Sequence, residues 1–340
     1  MPDGWRQVVA ACGGARLLWG SNYHLLQDGS YADTVDLGRT AVPFLSQEER
    51  EQMLGGTALG LWPSRAEQET LMLPKPKHLS AEYAAIWQDP SVVAAYSLRP
   101  PYPPEVFEML GGLIVETPRA VLDLGCGTGD LARPLAVLVD RLDAVDISRA
   151  MIERGKRLPG GDDPRLQWIQ GSAEDAALSP PYALVTAGES FHWMEWERLI
   201  PRLSGALTSG GMLALVGREF NPLRKVRDRI GPIWARYSRN RDYRPYDLVE
   251  ELQSRGLFEK RGDVWTTAVS WRPTLDDYIE CCHSQNGCSR DRMPALDAAG
   301  FDAEVRTMLL ALCEEGVLAE RDGRLELTVT ARITWGRPLE

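Results

Sequence analysis

The chain is 340 residues long, 44% hydrophobic and 25% charged, an ordinary globular composition with room for about two domains. Its formal net charge of −10 argues against a nucleic-acid or anionic-membrane partner. No apolar run approaches the length of a membrane span, and the first residues lack the basic and apolar regions of a signal peptide, so a cytoplasmic protein is expected.

The cysteines (Cys12, Cys126, Cys281, Cys282, Cys288 and Cys313) include no C-x-x-C pair and read as reduced thiols. The group Cys281, Cys282, His283 and Cys288 fits no zinc spacing. It is read as small core residues closing a helix, and no metal is expected.

In chain order, residues 16–24 read as a buried strand ending in a polar turn. Residues 46–56 read as a capped helix, with Ser46 at the N-cap, Glu49 completing a capping box and Gly55 stopping it. The stretches R-L-L-W-G-S-N-Y and P-F-L-S-Q-E-E-R-E-Q-M-L-G-G-T-A-L-G-L-W resemble the last strand and helices of metal-dependent amidohydrolase barrels. In that family the strand ends in a metal-site Asp; here Asn22 stands in its place. One βα unit cannot close an eight-stranded barrel, so residues 1–70 are expected to be a non-catalytic remnant and linker.

Residues 71–80, with Pro74 and Pro76 and no periodicity, continue the linker. Short helices are expected at 81–87 and 92–96, and a longer one at 105–114. Between them lies Y-S-L-R-P-P-Y-P-P, which holds Tyr96, Arg99 and Tyr102.

Residues 121–129 read V-L-D-L-G-C-G-T-G. A buried strand turns sharply into a helix expected at 130–140, with glycine where a side chain would block the backbone or a ligand. Turns of this kind open nucleotide sites in doubly wound α/β folds. A dinucleotide fingerprint has Gly or Ala three residues after its second glycine; here that residue is Asp130, which would repel a pyrophosphate. Asp123, at the strand's carboxyl end, suits a ligand carrying a positive amine.

These residues resemble motif I of the class I S-adenosylmethionine-dependent methyltransferases. The resemblance continues to the C-terminus and also covers Y-S-L-R-P-P-Y-P-P, which in many small-molecule methyltransferases lies over the cofactor. For Tyr96, Arg99 and Tyr102 the alternative is a rigid surface turn set by the prolines.

The next strand, 142–147, ends at Asp146, near the spacing of about 20 residues at which an acid reaches ribose hydroxyls. The alternative is a helix cap, since S-R-A-M-I-E follows. A third strand and turn span 166–174. The family often has Asp where this chain has Ser172, which leaves Ala173 and Glu174 as the better base contacts. The fourth strand begins at Tyr182 and runs through Ala187 into a loop, A-G-E-S-F-H-W, which resembles the family's fourth motif. A helix at 195–207 and a strand at 210–216 follow. Residues 221–257 read as helical, 263–271 and 324–335 as strands that pair antiparallel, and 275–318 as a helical excursion. The basic run W-A-R-Y-S-R-N-R-D-Y-R at 234–244 reads as a solvated helix face or an acid-binding pocket wall rather than a nucleic-acid site.

The resemblance implies a doubly wound α/β domain over 81–340, with a seven-stranded, mostly parallel sheet and helical lid insertions at 221–257 and 275–318. The cofactor implied is S-adenosylmethionine. Asp123 would orient its amino group through the glycine turn, and Gly125, Gly127 and Gly129 would let the backbone approach its methionine part. Asp146 would hold the ribose, with Ile147, Ala173, Glu174 and Ala187 completing the site. Phe191, Trp193 and Trp196 would either shield the sulfonium or serve simply as pocket walls and core. His192 would line the acceptor side, either as general base or as a wall. The partner expected is a small-molecule methyl acceptor; the alternative function is a non-catalytic S-adenosylmethionine-binding protein. Neither the acceptor nor the oligomeric state is legible in the sequence.

Overall fold

The computed structural model describes residues 75–219 and 223–339, with Gln47 alone from the earlier part. The chain divides into two units, residues 1–73 and 74–340; the strand and helix expected at 16–24 and 46–56 lie outside the described residues.

The second unit opens with helices α1 (Ala81–Ala84), α2 (Pro90–Ala95) and α3 (Glu105–Leu113). The alternating core begins with β1 (Ala120–Leu124), α4 (Ala132–Ala136), β2 (Arg141–Asp146), α5 (Arg149–Gly155), β3 (Leu166–Gln170) and β4 (Tyr182–Gly188). It continues through α6 (Trp196–Ala206) and β5 (Leu207–Glu219). Then come α7 (Arg224–Tyr237), α8 (Leu248–Ser254), β6 (Phe258–Trp265) and β7 (Val269–Trp271). The chain closes with α9 (Leu275–His283), α10 (Ala295–Glu314), β8 (Ala319–Arg321) and β9 (Arg324–Pro338).

The sheet order is β3-β2-β1-β4-β5-β9-β6, with β7 and β8 paired to β9. Strands β3 to β5 run parallel, and β9 inserts antiparallel to both β5 and β6. The expected seven strands are therefore present, extended by two short ones. β1 is buried on both faces, as a strand covered by helices on both sides must be. Leu122 and Leu124 pack with Trp196, Leu199 and Leu203 of α6 on one face. On the other, Val121 packs with Val106 and Leu110 of α3 and Leu135 of α4. A third core lies in the insertions, where Ile230, Tyr278, Phe301, Leu309 and Leu327 pack together. Cys281, Cys282 and Cys288 are buried within it.

Three elements differ from expectation. The helix after the glycine turn is only Ala132–Ala136, because the chain must leave it to begin β2 at Arg141. The stretch 221–257 is not continuously helical. After α7 the chain is irregular until Asp247 caps α8 by accepting from the Val249 and Glu250 N–H groups; Pro245, which lacks a donor, stands just ahead. The strand expected at 263–271 is two strands, β6 and β7, of which β6 begins earlier, at Phe258.

Candidate active site

The site lies at the carboxyl ends of the parallel strands, where crevices open in doubly wound sheets. A cavity of about 420 Å3 runs from the glycine turn to the turn after β3. Gly125, Gly127, Asp146, Ile147, Ala173 and Glu174 border it, with Glu189, Ser190, Trp193 and Met194 along the exit of β4. Trp87, Tyr96 and Arg99 border it from the preceding helices. Of the two readings of 96–102, the structure places Tyr96 and Arg99 at the cavity. Tyr102 is 95% buried, since only 5% of its surface is exposed, and does not reach this cavity.

Gly125 and Gly127 have φ of 63° and 55°, the left-handed region that side chains avoid. A Cβ on Gly125 would lie 2.5 Å from that of Ser190. Gly129, too, is left-handed, with φ of 81°. It is not among the cavity residues, and a Cβ there would meet the Trp168 ring at 2.6 Å. Asp146 accepts from the Gly127 N–H and the Ser148 N–H, both at 2.7 Å. It thus ties the glycine turn to β2, while the Ser148 hydroxyl caps α5. Burial raises its carboxyl above the usual range, against the pull of those two N–H groups. A carboxylate has about four lone-pair sites, so acceptor capacity remains toward the cavity for a pair of hydroxyls.

Asp123 lies deeper, 1% exposed, and accepts from the Thr186 hydroxyl at 2.7 Å. It is not a cavity residue; it borders a small recess with Gly125, Cys126 and Asp130. Burial, countered by Thr186 and reinforced by Asp146, pushes its carboxyl up to about 7. The Ser172 hydroxyl pairs with Asp175, and Glu174 accepts from the Glu195 N–H at 2.7 Å, closing the far end of the cavity.

A second cavity of about 420 Å3 adjoins the first and shares Trp87, Arg99, Glu189, Ser190 and Trp193 with it. Ala187 and His192 border this one rather than the first. His192 lies with its ring centroid 4.8 Å from that of Trp193. Burial lowers its imidazole to about 4, so it is neutral at pH 7. Of the expected shields, only Trp193 borders the first cavity. Phe191 and Trp196 are core residues, with the Trp196 indole N–H donating to the Phe191 carbonyl.

Between the two cavities lies a charged group that sequence reasoning missed. Glu189 has φ of 54°, strained for a residue with a side chain. Its carboxylate accepts from Arg218 at 2.9 Å and from Arg99 at 3.4 Å. Burial alone would raise Glu189, but Arg218 and Arg99 outweigh it and hold it below the usual range. Arg218 also reaches Asp130 at 3.1 Å and the Pro100 carbonyl at 2.8 Å, and lies over the Tyr102 ring. Arg99 donates to the Ser284 hydroxyl and carbonyl and stacks over Tyr96. Asp130, where a dinucleotide site would have glycine, was the one local sign that a cation must sit nearby.

The fold and the glycine-turn cavity define a class I S-adenosylmethionine-dependent methyltransferase domain, whose cofactor is S-adenosylmethionine. The cavity fits that cofactor: an acidic strand end faces it, and two left-handed glycines leave backbone where side chains would intrude. A family model of the methyltransferase domain matches residues 121–211. Over 170 residues the chain is 26% identical to a malonyl-[acyl-carrier protein] O-methyltransferase of Halalkalibacterium halodurans, covering 47% of this chain and 55% of that one. Over 112 residues it is 35% identical to a trans-aconitate 2-methyltransferase of Pseudomonas paraeruginosa, covering 32% and 39%. The chain thus spans about half, or less, of the length of these curated relatives. A solved structure from Anaeromyxobacter dehalogenans, proposed to be a type II methyltransferase, aligns with a TM-score of 0.50 at 25% identity, over 70% of this chain and 97% of that one.

Proposed function

We propose that this chain transfers the methyl group of S-adenosylmethionine to a small carboxylic acid bound in the second cavity. The observation that carries the reading is the meeting of two cavities across the turn 189–193. One has the acidic strand end and glycine backbone that suit the cofactor, and the other is bordered by His192 and Trp193.

When bound, the cofactor supplies an electrophilic methyl on a sulfonium whose departure as a neutral thioether needs no acid. The residues then have to orient and to exclude water. The glycine turn and Asp146 fix the cofactor end, and Trp87 and Trp193 wall the junction. A carboxylate acceptor is already ionised at neutral pH and needs no base. A neutral imidazole held near 4 by burial suits that acceptor better than one whose proton must be removed. In this reading His192 shapes the wall and takes no proton. The two curated relatives, named for malonyl and trans-aconitate acceptors, point to acids as well.

The test is a labelled-methyl transfer screen over small carboxylic acids, phenols, amines and thiols. Transfer to one or more carboxylic acids is expected, with a rate flat through neutral pH and only modestly changed in His192→Gln. Transfer confined to phenols or thiols, with a rate that falls by at least about a hundredfold in His192→Gln, would overturn both the acceptor class and the wall role.

A further inference from the structure

A third cavity, of about 540 Å3, opens beside the second. The two share Glu189, Gly217, Gln285 and Arg332, so they form one groove leading away from the cofactor cavity. Its far part is bordered by Trp234 and Trp265.

The passage is built from three strands in step. Gly217 of β5 pairs with Arg332 of β9, and Arg332 pairs in turn with Trp265 of β6. Directly paired residues of antiparallel strands share a face of the sheet, so Gly217, Arg332 and Trp265 form a ledge. At its near end there is no side chain, and a Cβ placed on Gly217 would meet nothing within 4 Å. At its far end Trp265 is 52% exposed, a large indole left in water at a cavity rim. Between them Arg332 is held along one edge by Asp263, at 2.6 Å from Nη2 and 3.1 Å from Nε. A guanidinium fixed in this way presents a flat cation on which a planar group stacks.

We infer that the methyl acceptor is an extended molecule whose distal part is flat and unsaturated and lies on the Trp265–Arg332 ledge, reached past Gly217. This rests on the reading that the acceptor occupies the second cavity. Gly217 keeps the passage open, and Trp265 sets the preference for length. Aromatic stacking contributes enough to make an extended aryl acid bind about tenfold more tightly than a short one.

The probes are benzoate and biphenyl-4-carboxylate, titrated calorimetrically into the full chain saturated with S-adenosylhomocysteine. In the native protein the biphenyl acid should bind about tenfold more tightly. Trp265→Ala, a change at an exposed position, should abolish the difference and leave benzoate unchanged. Gly217→Val should bring the biphenyl acid down to the level of benzoate or below. Its side chain enters open space on an ordinary strand backbone, and unchanged S-adenosylhomocysteine affinity certifies the fold of both variants. Equal affinity of the two acids for the native protein, no measurable binding of the biphenyl acid, or a preference that survives both substitutions would each overturn the inference. Failure of the underlying reading is seen separately, as loss of S-adenosylhomocysteine binding by the native protein or an empty methyl-transfer screen.

Discussion

Asp146 shows how one side chain serves two purposes. The sequence left open whether it holds a ribose or caps a helix. In the structure Ser148 does the capping, while Asp146 clamps the N–H of Gly127 and borders the cavity. Asp146→Ala should therefore weaken S-adenosylhomocysteine binding roughly ten- to a hundredfold, since hydrogen bonds to charged groups contribute about 1.5–3 kcal/mol. It should also lower the unfolding midpoint, because the Gly127 and Ser148 N–H groups lose their acceptor. Calorimetry and thermal denaturation read the two effects, and unchanged cofactor affinity would remove Asp146 from the site. At the same scale, Gly129 shares the left-handed backbone of its two neighbours, with φ of 81°, and the ring of Trp168 leaves no room for a Cβ there as well.

Among the elements, the helices ahead of β1 and the insertions after β5 are bound to the strand ends by buried charge. Arg218, at the end of β5, joins Asp130 after the glycine turn, Glu189 after β4 and the carbonyl of Pro100. Its side chain is 2% exposed. Removing it leaves Glu189 to Arg99, at 3.4 Å, and Asp130 to Arg133, at 3.5 Å; breaking a buried pair typically costs about 3–5 kcal/mol. Arg218→Met should lower stability by that order in denaturant titration, and Arg218→Lys should recover only part, because an ammonium cannot span the same set of acceptors. A loss below about 1 kcal/mol would show that the carboxylates find other partners. Arg99 extends the same group to Ser284, while the wall that both cavities share is made from two separate stretches of chain, 87–99 and 189–193.

At the scale of the whole molecule, the chain divides near Leu73. The second unit has its own sheet, its own buried cores and the cavities described above, and among its described residues no helix is long and apolar enough to cross a membrane. Residues 1–70, with Asn22 where the resembling barrels carry a metal-site Asp, are expected to be dispensable for cofactor binding. A truncated chain beginning at Leu73 should fold and bind S-adenosylhomocysteine within about threefold of the full chain. Insolubility, or a loss beyond tenfold, would show that the first unit has become part of the folded core.

The sequence by itself determined the parallel sheet, the cofactor class and the glycine turn and strand ends that border the first cavity. Each of these rests on chemistry between near neighbours in the chain: apolar runs that must be buried, glycines at a tight turn, and an acid at the next strand's end. The tertiary structure alone decided the pairing of Glu189 with Arg99 and Arg218, the burial that lowers His192, and the groove past Gly217. Those depend on residues brought together from distant stretches of chain and on burial, which shifts a proton equilibrium or opens a passage without leaving a spacing to read. Asp130 lies between the two cases, since its carboxylate was visible as an anomaly in the glycine turn, while the guanidinium that balances it arrives only when β4 and β5 lie side by side.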